Sequence, residues 1–130
     1  MPAVLIAEDN DAFRAEIVAL LQPLALTCIA VADGGQAIDV LRDRSQEMHL
    51  LITDMEMPLH TGWEVIEAAR QHRGEELPII MQTGQAQYTY VWRKAQDLGV
   101  VLIDKLDLDG HLLPAVRRAL GLSPEGSSAG

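Results

Sequence analysis

The sequence predicts an α/β fold, a single doubly wound (βα)5 domain built on a parallel sheet. Three observations carry that expectation. Short apolar runs alternate with helix-period patterns along the whole chain. The apolar runs are continuous rather than alternating, as in strands covered on both faces. Five such strand–helix units in succession call for parallel pairing with crossover helices on both sides of the sheet. The 130 residues amount to one domain with a substantial core.

The five expected strands are Ala3–Ala7, Leu26–Ala32, His49–Thr53, Pro78–Gln82 and Val100–Asp104. After the first, Phe13, Ile17, Leu20, Leu21 and Leu24 recur at helical spacing, with Asn10 or Asp11 as the N-cap. Pro23 ends or kinks that helix near Gln22. Ala37, Ile38 and Leu41 mark a second helix behind Gly34-Gly35, and Val65, Ile66 and Ala69 a third behind Gly62. Val91, Ala95 and Leu98 give a fourth, stopped by Gly99. Leu112, Leu113, Val116, Ala119 and Leu120 give a fifth, closed by Gly121. A domain over residues 1–121 is expected, followed by a polar Pro/Gly/Ser tail or linker start over residues 122–130.

Composition narrows the function classes. Nineteen acidic residues against ten basic ones give a net charge of −9, which argues against a nucleic-acid partner, since phosphate contacts need clustered Lys and Arg. The single cysteine, Cys28, allows no internal disulfide and is expected in the core of a reduced protein. No run approaches the roughly 20 apolar residues that span a bilayer, and the start of the chain lacks a signal-peptide pattern. The expectation is a cytoplasmic protein with no membrane contact.

Chemistry gathers at the strand ends. Ligands of open parallel sheets bind beyond the carboxyl ends of the strands. Here the first strand runs into Glu8-Asp9, the third into Asp54, the fourth into Gln82-Thr83 and the fifth into Asp104-Lys105. If the strand order were 2-1-3-4-5, three carboxylates would share one small site beside Thr83 and Lys105. Such carboxylates repel, and a hard divalent cation such as Mg²⁺ relieves the repulsion while keeping waters and a phosphate as further ligands. An aspartate in that setting can accept a phosphoryl group, with an ammonium and a hydroxyl to hold the phosphoryl oxygens. The chain has neither a GxxxxGK[ST] nor a GxGxxG loop, so the expected donor is a phosphoprotein or small phosphate compound rather than bound ATP.

These residues resemble the receiver domains of response regulators in two-component signalling, with chemotaxis receivers as the pattern. The likeness rests on Glu8-Asp9 after the first strand, on D-x-x-M-P in "DMEMP" and on Gly62 eight residues past Asp54. It continues in Thr83 after the fourth strand and in Lys105, 22 residues further on. The resemblance implies a flavodoxin-like sheet of order 2-1-3-4-5. It implies Asp54 as phosphoacceptor, and Glu8 and Asp9 as Mg²⁺ carboxylates, one of them through a water. The backbone carbonyl of Glu56 becomes a further metal ligand, with Asp54 itself also bound, and Thr83 and Lys105 contact the phosphoryl group. The implied donor is a sensor histidine kinase or a histidine phosphotransfer protein, and the protein catalyses at most its own phosphorylation and dephosphorylation. The implied output surface is the fourth helix, fifth strand and fifth helix, which meets an effector protein or a second copy of the chain.

The chain departs from that pattern at the switch. Leu102 stands where similar domains carry the Tyr or Phe that moves with Thr83, and Leu106 stands where a proline usually follows the lysine. A cis bond before a non-proline residue costs about 2.5–4 kcal/mol, so this loop is either trans or strained. Tyr88, Tyr90 and Trp92 are three of the five Phe, Tyr and Trp residues and crowd the start of the fourth helix pattern. Tyr88 and Trp92 are the expected partner contacts there, set against the plainer reading that one or two of the three pack inward. Two other functions compete. One is a receiver-like binding module that works without phosphorylation, for which Leu102 and Leu106 speak. The other is an aspartyl-nucleophile phosphatase of the haloacid-dehalogenase type, against which Glu56 replaces the second Asp of D-x-D.

Overall fold

The protein is described by a computed structural model covering residues 1–122. Its elements follow in strict alternation: β1 (Ala3–Ala7), α1 (Asp11–Leu20), β2 (Thr27–Val31), α2 (Gly34–Arg42), β3 (Leu50–Asp54) and α3 (Gly62–Arg73), then β4 (Ile79–Thr83), α4 (Thr89–Asp97), β5 (Val100–Asp104) and α5 (Leu108–Ala119). Two one-turn 3-10 segments, Gln22–Leu24 and Lys105–Asp107, complete the list. The expected tail lies outside the described residues apart from Leu122. All four strand pairings are parallel, in the order β2-β1-β3-β4-β5.

Alternation along each strand divides the core. Leu5, Ala7, Leu51, Ile79 and Met81 face α2, α3 and α4, meeting Leu41, Val65, Ile66 and Val91. Val4, Ile6, Leu50, Ile52, Ile80 and Ile103 face α1 and α5, meeting Ile17, Leu21, Leu112 and Val116. The three central strands are buried at every residue, as continuous apolar runs predict. The two edge strands correct that expectation: β2 and β5 are only partly buried, and Val101 is half exposed. Cys28 therefore lies half-buried on β2 rather than in the core.

Local signals explain the helix ends. Asn10 is the N-cap of α1, its Oδ1 accepting from the Phe13 N–H at 2.8 Å. The helix ends at Leu20, and the 3-10 turn carrying Pro23 follows. Thr61 and Glu64 form a reciprocal capping box at the start of α3. Gly121 adopts φ 69° after α5, and the Gly121 and Leu122 N–H groups bond back to Arg118 and Arg117, a Schellman closure. Strands β3 and β4 run one residue further than expected, so Asp54 and Thr83 end the strands themselves.

Opposite the carboxyl ends, two arginines of α3 tie the loops together. Arg73 donates to the carbonyls of Val40, Leu41, Asp43 and Gln46, capping the last turn of α2. Arg70 donates to the carbonyls of Gly74, Glu75, Leu77, Leu98 and Gly99.

Candidate functional site

Register brings the expected residues together. The central position of β1 and β3 sets the end of β1 beside the end of β3, and Asp54 pairs with Gln82 and Thr83 with Asp104. Glu8, Asp9 and Asp54 each offer a carboxylate oxygen, and those atoms lie within 4.8 Å of one another. Glu8 and Asp54 are buried and Asp9 is exposed.

Glu8 is held firmly. Its Oε2 accepts from the Asn10 N–H at 3.1 Å, and its Oε1 accepts from Gln82 Nε2 at 3.2 Å. Arg14 binds the Glu8 carbonyl at 2.8 Å. Lys105 reaches in from the turn after β5, its Nζ 3.1 Å from Asp54 Oδ2 and 3.5 Å from Glu8 Oε1. The same ammonium sits 4.8 Å from the ring centroid of Phe13. Thr83 Oγ1 accepts from the Gln85 N–H at 2.9 Å and donates to Met55 Sδ at 3.6 Å.

The electrostatics follow from this crowding. Burial, and then the Glu8 charge, push the Asp54 carboxyl up from 3.8 to about 6, against the pull of Lys105 and the Glu56 N–H. Burial alone would pull the Lys105 ammonium down, but the Asp54 and Glu8 carboxylates outweigh it and raise its pKa. Three carboxylate oxygen donors, one exposed, against a single ammonium leave a net negative charge that fits a hard divalent cation of the Mg²⁺ class.

The remaining sequence-predicted residues fall around this centre. Glu56 lies at the exposed rim, with its carboxylate accepting from Gln85 Nε2 at 2.8 Å. Leu102 is half-buried and packs on the core beneath α2, α3 and α4. The Lys105–Leu106 bond is trans, since no peptide bond among the described residues is cis. The Leu106 N–H instead donates to Asp104 Oδ1 at 2.9 Å, a bond that a proline could not make. Tyr88, Tyr90 and Trp92 all point outward, so the inward-packing reading does not hold. Tyr88 is the N-cap residue of α4 rather than part of its first turn. Trp63, in the first turn of α3, lies beneath the Lys94 ammonium at 4.7 Å.

Four residues of the site carry no motif signal that assigned them a role: Phe13, Met55, Gln82 and Gln85. Gln82 had the clearest hint, a polar amide closing an otherwise apolar strand in "PIIMQ".

Comparison with known proteins gives a consistent result. The family model of the response regulator receiver domain matches residues 4–106. Chemotaxis protein CheV2 of Helicobacter pylori is 33% identical over 113 residues, covering 85% of this chain and 33% of that protein. Sensor histidine kinase CheAY of the same organism is 25% identical over 125 residues, covering 95% of this chain and 16% of that protein. The chain spans a third or less of the length of such curated relatives. Among solved structures, chemotaxis protein CheY4 of Vibrio cholerae superposes with a TM-score of 0.80 at 25% identity, covering 92% of this chain and 99% of that one.

Proposed function

The chain belongs to the receiver domain family of response regulators, and from that membership we propose that it accepts a phosphoryl group on Asp54 from a histidine kinase or histidine phosphotransfer protein. Receiver domains are signalling modules rather than classical enzymes. The observation that carries the reading is the placement of Lys105 Nζ 3.1 Å from Asp54 Oδ2 in a three-carboxylate cluster.

An Asp54 oxygen attacks the phosphorus of the donor; the new P–O bond forms as the donor's P–N or P–O bond breaks, and the leaving group departs with that electron pair. Lys105 holds one phosphoryl oxygen, and the Thr83 hydroxyl, whose hydrogen rests only on a sulfur, donates to another. Asp9, Asp54, Glu8 and the Glu56 carbonyl would hold Mg²⁺, with Glu8 acting through a water because donors already engage both its oxygens. Bound there, the cation would neutralise charge on the transferring group. Hydrolysis reverses the modification: water attacks phosphorus and Asp54 leaves as a carboxylate. The likeness to a sensor histidine kinase supports the donor class. On this reading output runs through α4, β5 and α5, in a cytoplasmic setting. No helix among the described residues is long and apolar enough to cross a membrane.

Incubation with Mg²⁺ and acetyl phosphate is expected to add one phosphoryl mass to the intact protein, and Asp54→Asn to abolish the adduct. No adduct on the unsubstituted protein, or an equal one on Asp54→Asn, sinks the reading. Leu102 favours a second reading, a binding module indifferent to phosphorylation. It gains if a phosphoryl mimic at Asp54 alters neither oligomeric state nor the affinity of any partner.

A further inference from the structure

Gln85 lies two residues beyond β4 and takes no part in the chemistry above, yet it touches both loops that carry the site. Its backbone N–H donates to Thr83 Oγ1 at 2.9 Å, and its side-chain Nε2 donates to Glu56 Oε1 at 2.8 Å. Its Oε1 accepts from the Tyr90 hydroxyl at 3.2 Å. Glu56 is only two residues past Asp54, and its N–H bonds the Asp54 carboxylate. Tyr90 in turn stacks on Tyr88, with centroids 6.0 Å apart and planes 30° from parallel. One residue therefore joins the Asp54 loop, the Thr83 hydroxyl and the exposed aromatic face of α4.

Leu102 is half-buried in the core and has no polar atom with which to follow Thr83. We propose that Gln85 couples occupancy of the Asp54 site to the Tyr88–Tyr90 face of α4, in place of a side chain from β5. The proposal rests on the phosphoacceptor reading and concerns its regulation.

The physical basis is competition for one hydroxyl and one amide. Thr83 now offers its hydrogen to Met55 Sδ at 3.6 Å, a weak acceptor. An anionic phosphoryl oxygen is far stronger, and where the Thr83 side chain rotates about Cα–Cβ to bring its hydroxyl to it, the oxygen that accepts the Gln85 N–H moves as well. Gln85 then either follows or lets go. Its side chain bonds Glu56 and Tyr90 from the same residue, so it cannot shift and keep both partners. The arrangement described here belongs to the unmodified site. Linkage is reciprocal: breaking the bridge at Tyr90 favours the occupied site.

With only two tyrosines in the chain, 3-fluorotyrosine labelling of the full protein gives two ¹⁹F resonances, assigned with Tyr88→Phe and Tyr90→Phe. Titration with Mg²⁺ and beryllofluoride, a phosphoryl mimic, is expected to shift the Tyr90 resonance. Gln85→Ala is expected to remove that shift. Because these bonds are solvent-exposed, Gln85→Ala and Tyr90→Phe should each tighten beryllofluoride binding only about two- to tenfold. A purely structural role predicts no tightening. Normal adduct formation with an unmoved Tyr90 resonance, or with a shift that persists in Gln85→Ala, overturns the bridge alone. Absence of any adduct overturns the phosphoacceptor reading and the bridge with it.

Discussion

At Asp54, the burial that makes the carboxylate a confined nucleophile also makes its charge costly. Its pKa of about 6 lies above the ordinary 3.8, so the folded protein binds more protons than the unfolded chain between those values. Stability without metal therefore falls as pH rises from about 4 to 6, and stays low above it. Asp54→Asn is expected to remove this pH dependence and to stabilise the metal-free protein at pH 7 by about 1–3 kcal/mol, read from urea unfolding in EDTA. Gly62 is constrained by the same strand end. A Cβ there would collide with the Asp54 carbonyl oxygen and stand 2.8 Å from Met55 Cα. Gly62→Ala should cost about 1–3 kcal/mol in urea unfolding, and an unchanged midpoint would contradict that packing. The carboxylates, Thr83 and Lys105 were legible because each falls at a strand end, where chain order alone announces it. Phe13, Met55 and Gln85 were not, because their partners are set by distance across the sheet and not by spacing along the chain.

At the scale of elements, hydrophobic runs and caps specified the strands and helices well but not their exposure. Central and edge strands read alike in the sequence, since Val, Ile and Leu fill both; only the sheet order separates β5 from β4. The capping box of Thr61 and Glu64 emerges only in the structure, and Pro114 stands inside α5, where packing of Leu112 and Val116 outweighs its missing N–H. The turn that delivers Lys105 illustrates a substitution of means. Asp104 Oδ1 accepts the Leu106 N–H and fixes the 3-10 segment from Lys105 to Asp107. Asp104→Ala should destabilise the fold by about 0.5–2 kcal/mol and slow phosphorylation by acetyl phosphate, with Asp104→Asn retaining most of both. Equal behaviour of the two variants would show that the cap does not position Lys105.

Across the whole molecule, parallel pairing is what turns five scattered residues into one site, because every strand ends at the same side of the sheet. That principle was available from the alternation of elements, but the order 2-1-3-4-5 came from resemblance, since crossover lengths alone do not rank the strands. The net charge of −9 makes any divalent cation attractive to the surface, so specific binding needs a control. Saturating Mg²⁺ should raise the melting temperature by several degrees through linkage. Asp9→Asn should blunt the rise. A rise that persists undiminished in Asp9→Asn would mark general charge screening instead.

Arg70 and Arg73 give this architecture a direction. Between them they pin the loops that precede β3, β4 and β5 by hydrogen bonds to main-chain oxygens rather than to replaceable side chains. The base of the sheet is thus tied by main-chain acceptors, while the rim around Asp54 is held mostly through side chains: Lys105, Gln82, Thr83 and Gln85. If the Gln85 bridge operates, the main-chain ties at the base leave the side-chain contacts of the rim as the part of the structure that rearranges, on the side facing α4.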